Sequence, residues 1–244
     1  MAIPTMHDSI ARLIARLRTE PLTRLVAFGS SNTERAEHCE GAHNWFDWLD
    51  VGLKHHYGRV HHCINTGISG ETTRELLARF ERDVAFYQPH AVIVTIGGND
   101  ANPTRNMSTD EYRANLVELM TRLRRLSDCV PILQTYYSFD SERIDPVHAA
   151  QFPAFMQIVR EVAAATDVAL RDNLRRWELL RTRDVESFRA LMRDPCHVNR
   201  LGHMVWGLDM CRAFDAPLTD QAVPALAAAL PIQRRLDEWE KAAI

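Results

Sequence analysis

The sequence predicts an α/β chain, a three-layer α/β/α sandwich built around a five-stranded parallel sheet. Three observations predict it. Short apolar runs recur along the 244 residues, helical apolar stripes separate them, and each run ends in a polar or glycine-bearing turn. The runs lie at residues 22–28, 60–65, 91–96, 130–135 and 168–170, one for each strand.

The helices are read from their stripes. Ile10, Leu13, Ile14 and Leu17 give residues 1–20 the pattern of an amphipathic helix laid on the domain. Leu76, Leu77, Phe80 and Val84 mark a helix over 71–86 that Pro89 stops. Ser108 and Glu111 have the capping-box spacing, and Tyr112, Leu116, Leu119, Leu123 and Leu126 form the stripe that follows it. A further helix over 152–166 carries Phe155, Ile158 and Val162, and one or two more run on to Met192. One domain is expected over 1–214. Residues 215–244, punctuated by Pro217, Pro224 and Pro231, read as a helical extension packing on that domain or on a partner subunit of a homo-oligomer.

Composition narrows the function. With 46% hydrophobic residues the chain can bury a full core without disulfide or metal. A net charge of −3 and only two lysines, Lys54 and Lys241, exclude the electrostatic footprint of a nucleic-acid binder. Cys39, Cys63, Cys129, Cys196 and Cys211 are odd in number and lack C-x-x-C spacing, which fits reduced thiols in the cytoplasm. Asp8, Arg12, Arg16, Arg18 and Glu20 interrupt any signal-peptide core, and no run is long and apolar enough to span a membrane. The pairs His55-His56 and His61-His62 have no recognised ligand spacing and are expected to face solvent. No metal and no cofactor is expected.

In a parallel α/β sheet ligands sit beyond the carboxyl ends of the strands, so the residues after each run carry the chemistry. The first run ends in Gly29-Ser30-Ser31-Asn32, a tight turn able to lift a hydroxyl onto the rim. The second ends in Asn65-Thr66-Gly67-Ile68-Ser69-Gly70, with Gly70 ahead of a helix where N–H groups point outward. The third ends in Gly97-Gly98-Asn99-Asp100, offering an amide donor. Late in the chain comes Asp194-Pro195-Cys196-His197, a carboxylate placed to hold one imidazole nitrogen and leave the other free as a base. Cys196 is expected to wall the site and His203 to be a satisfied core histidine.

Four rim segments in this order resemble the SGNH hydrolases, the GDSL-type esterase, lipase and acylhydrolase family, over about residues 22–214. The resemblance implies Ser31 as nucleophile, Asp194 and His197 as its relay, and an oxyanion hole from Ser31, Gly70 and Asn99. One position departs from the family pattern: Ser30 stands where an aspartate is usual, which leaves the choice between Ser30 and Ser31 to the spacing from Gly29. The implied activity is hydrolysis of a small-molecule carboxylic ester through an acyl-enzyme. Deacetylation of a carbohydrate is the favoured substrate class, with lysophospholipid and acyl-CoA thioester hydrolysis as alternatives and a silent acyl-ligand-binding member as the non-enzymatic one. Rim segments 33–42, 101–107 and 136–147 are expected to set substrate choice, with Trp45, Tyr136 and Tyr137 as a substrate-binding surface.

Overall fold

The computed structural model describes residues 7–243, so the first six residues of the predicted 1–20 helix lie outside the described residues. Five strands form: β1 (Arg24–Gly29), β2 (His62–Asn65), β3 (Ala91–Thr95), β4 (Val130–Gln134) and β5 (Ala169–Arg171). All of β3 and all of β1 after Arg24 are buried, the mark of strands covered on both faces. The order is β2-β1-β3-β4-β5 and every pairing is parallel. Gly29 pairs with Thr95, Thr95 with Gln134 and Gln134 with Arg171, so the carboxyl ends share one rim. The strand order reverses direction across the sheet between β1 and β3, the point at which parallel α/β sheets bind ligands.

The helices are α1 (Asp8–Thr19), α2 (Trp45–Tyr57), α3 (Thr73–Asp83), α4 (Thr109–Arg125), α5 (Pro146–Ala165), α6 (Asn173–Arg183), α7 (Val185–Ala190), α8 (Arg200–Ala213) and α9 (Leu230–Ala242). Right-handed crossovers place α3, α4 and α5 side by side on one face, while α2 and α8 pack together on the other.

Two boundaries moved for local reasons. The helix predicted over 71–86 ends at Asp83 and continues as a 3-10 turn, Ala85–Tyr87. The helix predicted from 152 starts at Pro146, because Asp145 caps the N–H groups of Val147 and His148 and proline suits the first helical position. Ser108 accepts the Glu111 N–H as predicted, without the reciprocal bond of a full capping box.

Helix α2 was not predicted at all. Asn44 and Asp47 close a full capping box at its start, and Trp45, Phe46, Trp48, Leu49 and Leu53 are buried along it. His55 and His56 lie on its exposed end, as expected of them, whereas His61 is buried. The His61 ring accepts the Thr23 N–H at Nδ1 (3.2 Å) and donates from Nε2 to the Leu17 carbonyl (2.9 Å), fastening α1 to the start of the sheet. No helix among the described residues is long and apolar enough to cross a membrane.

Residues 215–243 pack on their own domain. Leu226 and Leu236 are fully buried, and α9 lies against α6 and α8. Arg176 of α6 reaches Asp209 (3.0 Å), Asp237 (2.6 Å) and Glu240 (2.7 Å). Burial alone would lower its pKa, but these three carboxylates outweigh it and hold the guanidinium above its usual value. Removing Arg176 would leave the buried Asp209 short of a counter-charge, and through Asp237 and Glu240 the same side chain ties the extension to the domain it covers.

Candidate active site

The loop after β1 is shaped by its own carbonyls: Ser30 O accepts the N–H groups of Thr33 (2.8 Å) and Glu34 (2.9 Å). That turn sends the two serine side chains apart. Ser30 is buried, with its hydroxyl 2.8 Å from the Tyr136 hydroxyl, and Ser31 is half-buried, with Oγ 2.9 Å from His197 Nε2. Only Ser31 meets the imidazole.

His197 lies in the turn that precedes α8. The Asp194 carboxylate faces His197 Nδ1 from both oxygens, 2.8 Å from Oδ2 and 3.0 Å from Oδ1. Its Oδ1 also accepts the backbone N–H groups of Cys196 (2.9 Å) and His197 (2.8 Å). Burial alone would raise the pKa of Asp194. The bonds from His197 and Cys196 overcome it and hold the carboxyl well below the usual carboxylate range. An ionised acceptor at Nδ1 puts the imidazole proton there and leaves Nε2 as an acceptor toward Ser31.

Gly70 adopts φ +80, a conformation that side chains resist, and a Cβ there would meet nothing nearer than Arg105 Nη2 at 3.6 Å. Backbone angle, not space, demands the glycine. Among the described residues the N–H groups of Ser31 and Gly70 have no partner in the chain. Asn99 donates one Nδ2 hydrogen to the Glu71 carbonyl (2.8 Å), which fixes the amide and leaves its second hydrogen free. The β2 and β1 loops approach so closely that a Cβ on Gly67 would lie 2.3 Å from the Glu34 nitrogen.

Asp100 anchors this side of the site. Its Oδ1 accepts Thr73 N–H (2.9 Å) and Oγ1–H (2.7 Å), tying the β3 loop to the start of α3, while Oδ2 is buried without a partner. Burial raises its pKa to about 6, the Thr73 bonds opposing only part of the rise. A carboxyl that keeps its proton longer when folded contributes stability below the unfolded value of about 4, and that contribution is lost as pH rises to about 6. Relative to Asp100→Asn, wild type should therefore lose about 1–3 kcal/mol between pH 4 and pH 7. Thermal melts of the two proteins across that range check it; a constant difference would refute it.

The aromatic residues predicted to bind substrate do something else. Trp45, Tyr136 and Tyr137 are at most 1% exposed and present no face to a ligand. The Trp45 indole donates to Asn32 O (2.9 Å) and Tyr136 holds Ser30. The Tyr137 hydroxyl accepts Val198 N–H (3.0 Å) and lies against Asn32 Oδ1 and Cys196 O, joining the serine loop to the histidine loop. Their polar tips satisfy buried groups of the loops, backbone for Trp45 and Tyr137 and the Ser30 hydroxyl for Tyr136, and the first part of segment 136–147 turns inward and not toward the rim.

Cys196 is half-buried, with Sγ 3.4 Å from Asp194 Oδ1. Burial and that carboxylate push its thiol up to about 12, so it walls the site without thiolate character. His203 is a core residue, 0% exposed, but it is not satisfied, since neither ring nitrogen has a partner among the described residues. It stands behind His38, whose ring stacks on His197 with centroids 5.1 Å apart. Burial lowers both pKa values, that of His203 to about 3.

Comparison with known proteins bears on the family and the fold. A lipoprotein of Bacillus subtilis, YqeF, is 28% identical over 61% of this chain and 70% of its own. An acetylxylan esterase of Geobacillus stearothermophilus is 29% identical over 62% of this chain and 69% of its own. The crystal structure of Axe2, an acetylxylan esterase from the same organism, superposes with a TM-score of 0.66 at 25% identity, covering 79% of this chain and 94% of that one. The sequence profile of the GDSL-like lipase/acylhydrolase family matches residues 27–205, the span that holds all four rim segments, and the chain belongs to that family.

Proposed function

We propose that the protein is a serine esterase that removes short acyl groups, acetyl above all, from carbohydrate esters. The observation that carries this reading is the unbroken relay from Ser31 Oγ through the His197 ring to Asp194. An alcohol is a weak nucleophile at neutral pH, so His197 Nε2 takes the Ser31 proton as Oγ attacks the ester carbonyl. Asp194 stabilises the imidazolium that forms. Negative charge develops on the former carbonyl oxygen, for which the free N–H groups of Ser31 and Gly70 and the second Asn99 amide hydrogen are the available donors. The imidazolium then protonates the departing alcohol, leaving an acyl-enzyme. Water, deprotonated by the same ring, attacks it and releases the acid.

Asn99→Ala removes one donor and also frees the Glu71 carbonyl it holds. Its kcat on p-nitrophenyl acetate should fall about 10²–10³-fold with KM little changed. A loss confined to KM would take Asn99 out of the oxyanion hole.

The acetyl preference draws on the acetylxylan esterase relatives. A panel of acetylated xylo-oligosaccharides, a lysophospholipid and acyl-CoA, with Ser31→Ala as the blank, tests it. The highest kcat/KM is expected on the acetylated sugar; a better rate on either alternative would replace the substrate assignment and leave the chemistry standing. We place the protein in the cytoplasm on the strength of its free cysteines, against the lipoprotein name of one relative, and cell fractionation decides between them.

A further inference from the structure

Behind the catalytic imidazole lies a group of side chains that the esterase reaction does not use. His38 and Cys39 come from the 3-10 turn Glu37–Cys39, and His203 from α8, more than 160 residues away in sequence. Their ligating atoms lie within 4.8 Å of one another, and the three residues are 5%, 0% and 0% exposed. Among the described residues, both nitrogens of His203 and Nε2 of His38 are buried without a partner. A buried polar atom left unpaired costs about 1–3 kcal/mol, and since a neutral ring carries one N–H and one lone pair, each of these two imidazoles can turn a lone pair toward something that accepts it.

We propose that His38, Cys39 and His203 form a binding site for a thiophilic divalent cation, with Zn²⁺ the best fit. Two imidazoles and one thiolate are a borderline-soft donor set, and with one water they complete a tetrahedron. Zinc bonds of about 2.0–2.3 Å set ligand atoms roughly 3.4–3.6 Å apart, so the present spacing must contract by about an ångström. Binding replaces the Cys39 S–H bond with an S–metal bond and releases that proton to solvent; the imidazoles bind through unprotonated nitrogens, and nothing is oxidised or reduced.

The binding of metal does not depend on the esterase mechanism above, and it is read without an activity assay.

Metal-free protein is titrated with Co²⁺ alone, following the thiolate-to-cobalt charge-transfer band, and Zn²⁺ is then added to displace it. Wild type and Cys196→Ser should show the band at one equivalent, with one proton released per metal. Cys39→Ser should lose the band while keeping its melting temperature within a few degrees, and His203→Gln should weaken binding at least about tenfold. If His203→Gln does not fold, Cys39→Ser carries the test. No band in wild type, or a band that survives Cys39→Ser, overturns the proposal. A band lost in Cys196→Ser would place the metal on the alternative cluster of Asp194, Cys196 and His197 and overturn it equally.

Discussion

Ser31→Ala should lower kcat on p-nitrophenyl acetate by about 10⁴–10⁶-fold and abolish labelling by a fluorophosphonate probe, with the fold intact. The size follows from the role proposed for Ser31: with the nucleophile gone, only binding and the proposed oxyanion donors would remain, and in serine hydrolases these retain a small residue of the rate. The intact fold follows from the structure. Ser31 is half-buried, its one side-chain bond goes to His197, and the turn around it is made by backbone carbonyls. Ser30→Ala is the informative control. Its hydroxyl points away to Tyr136, so this variant should keep the label and most of the rate, and lose about 1 kcal/mol from the Tyr136 hydroxyl left unpaired. Labelling that follows residue 30 instead would exchange the two roles and break the proposed relay at its first member.

The rim was legible in the sequence because each of its segments is local. Gly29-Ser30-Ser31, the Gly70 turn, Gly97-Gly98-Asn99-Asp100 and Asp194-x-x-His197 each declare a backbone geometry or a donor within a few residues, and the parallel order of the strands puts them on one edge. What was illegible is what depends on long-range packing. Trp45, Tyr136 and Tyr137 have the composition of a sugar platform, and nothing local says that α2 and the loop after β4 would turn them inward to hold Asn32 and Ser30. His38 and His203 meet only because the turn before α2 folds over α8, so no spacing in the chain reveals them. Helix α2 is a different case, since its signal was present: Asn44 three residues before Asp47, followed by Trp45, Trp48, Leu49, Gly52 and Leu53 on one helical face. The same logic accounts for Ser30. Where the family pattern has aspartate, this chain meets the buried Tyr136 hydroxyl with another hydroxyl, and a neutral pair needs no counter-charge in a site 1% exposed.

Asp194→Asn should lower kcat by about 10⁴-fold while leaving the protein folded, and the reason is a tautomer and not a lost contact. In wild type Oδ1 is occupied by the backbone N–H groups of Cys196 and His197, and both oxygens face His197 Nδ1. An asparagine keeps its carbonyl oxygen on the two backbone donors, because its NH₂ cannot accept them. That choice turns the NH₂ toward Nδ1, which must then act as acceptor, and the ring proton moves to Nε2. Ser31 would face an N–H where it needs a lone pair. Asp194→Ala goes further: the backbone donors of the turn also lose their acceptor, so it should lose more stability than Asp194→Asn, which keeps those two donors paired and loses only what the charge contributes. Because the wild-type carboxyl is held well below the usual range, it stays ionised down to strongly acidic pH, and its favourable contribution to folding is present above about pH 4 and fades only as pH falls through its depressed value. The ring of Asp194→Asn can be examined directly by nitrogen-15 NMR of His197. A proton found on Nδ1 in that variant, or a rate within tenfold of wild type, would mean that the carboxylate neither orients the imidazole nor supports its charge.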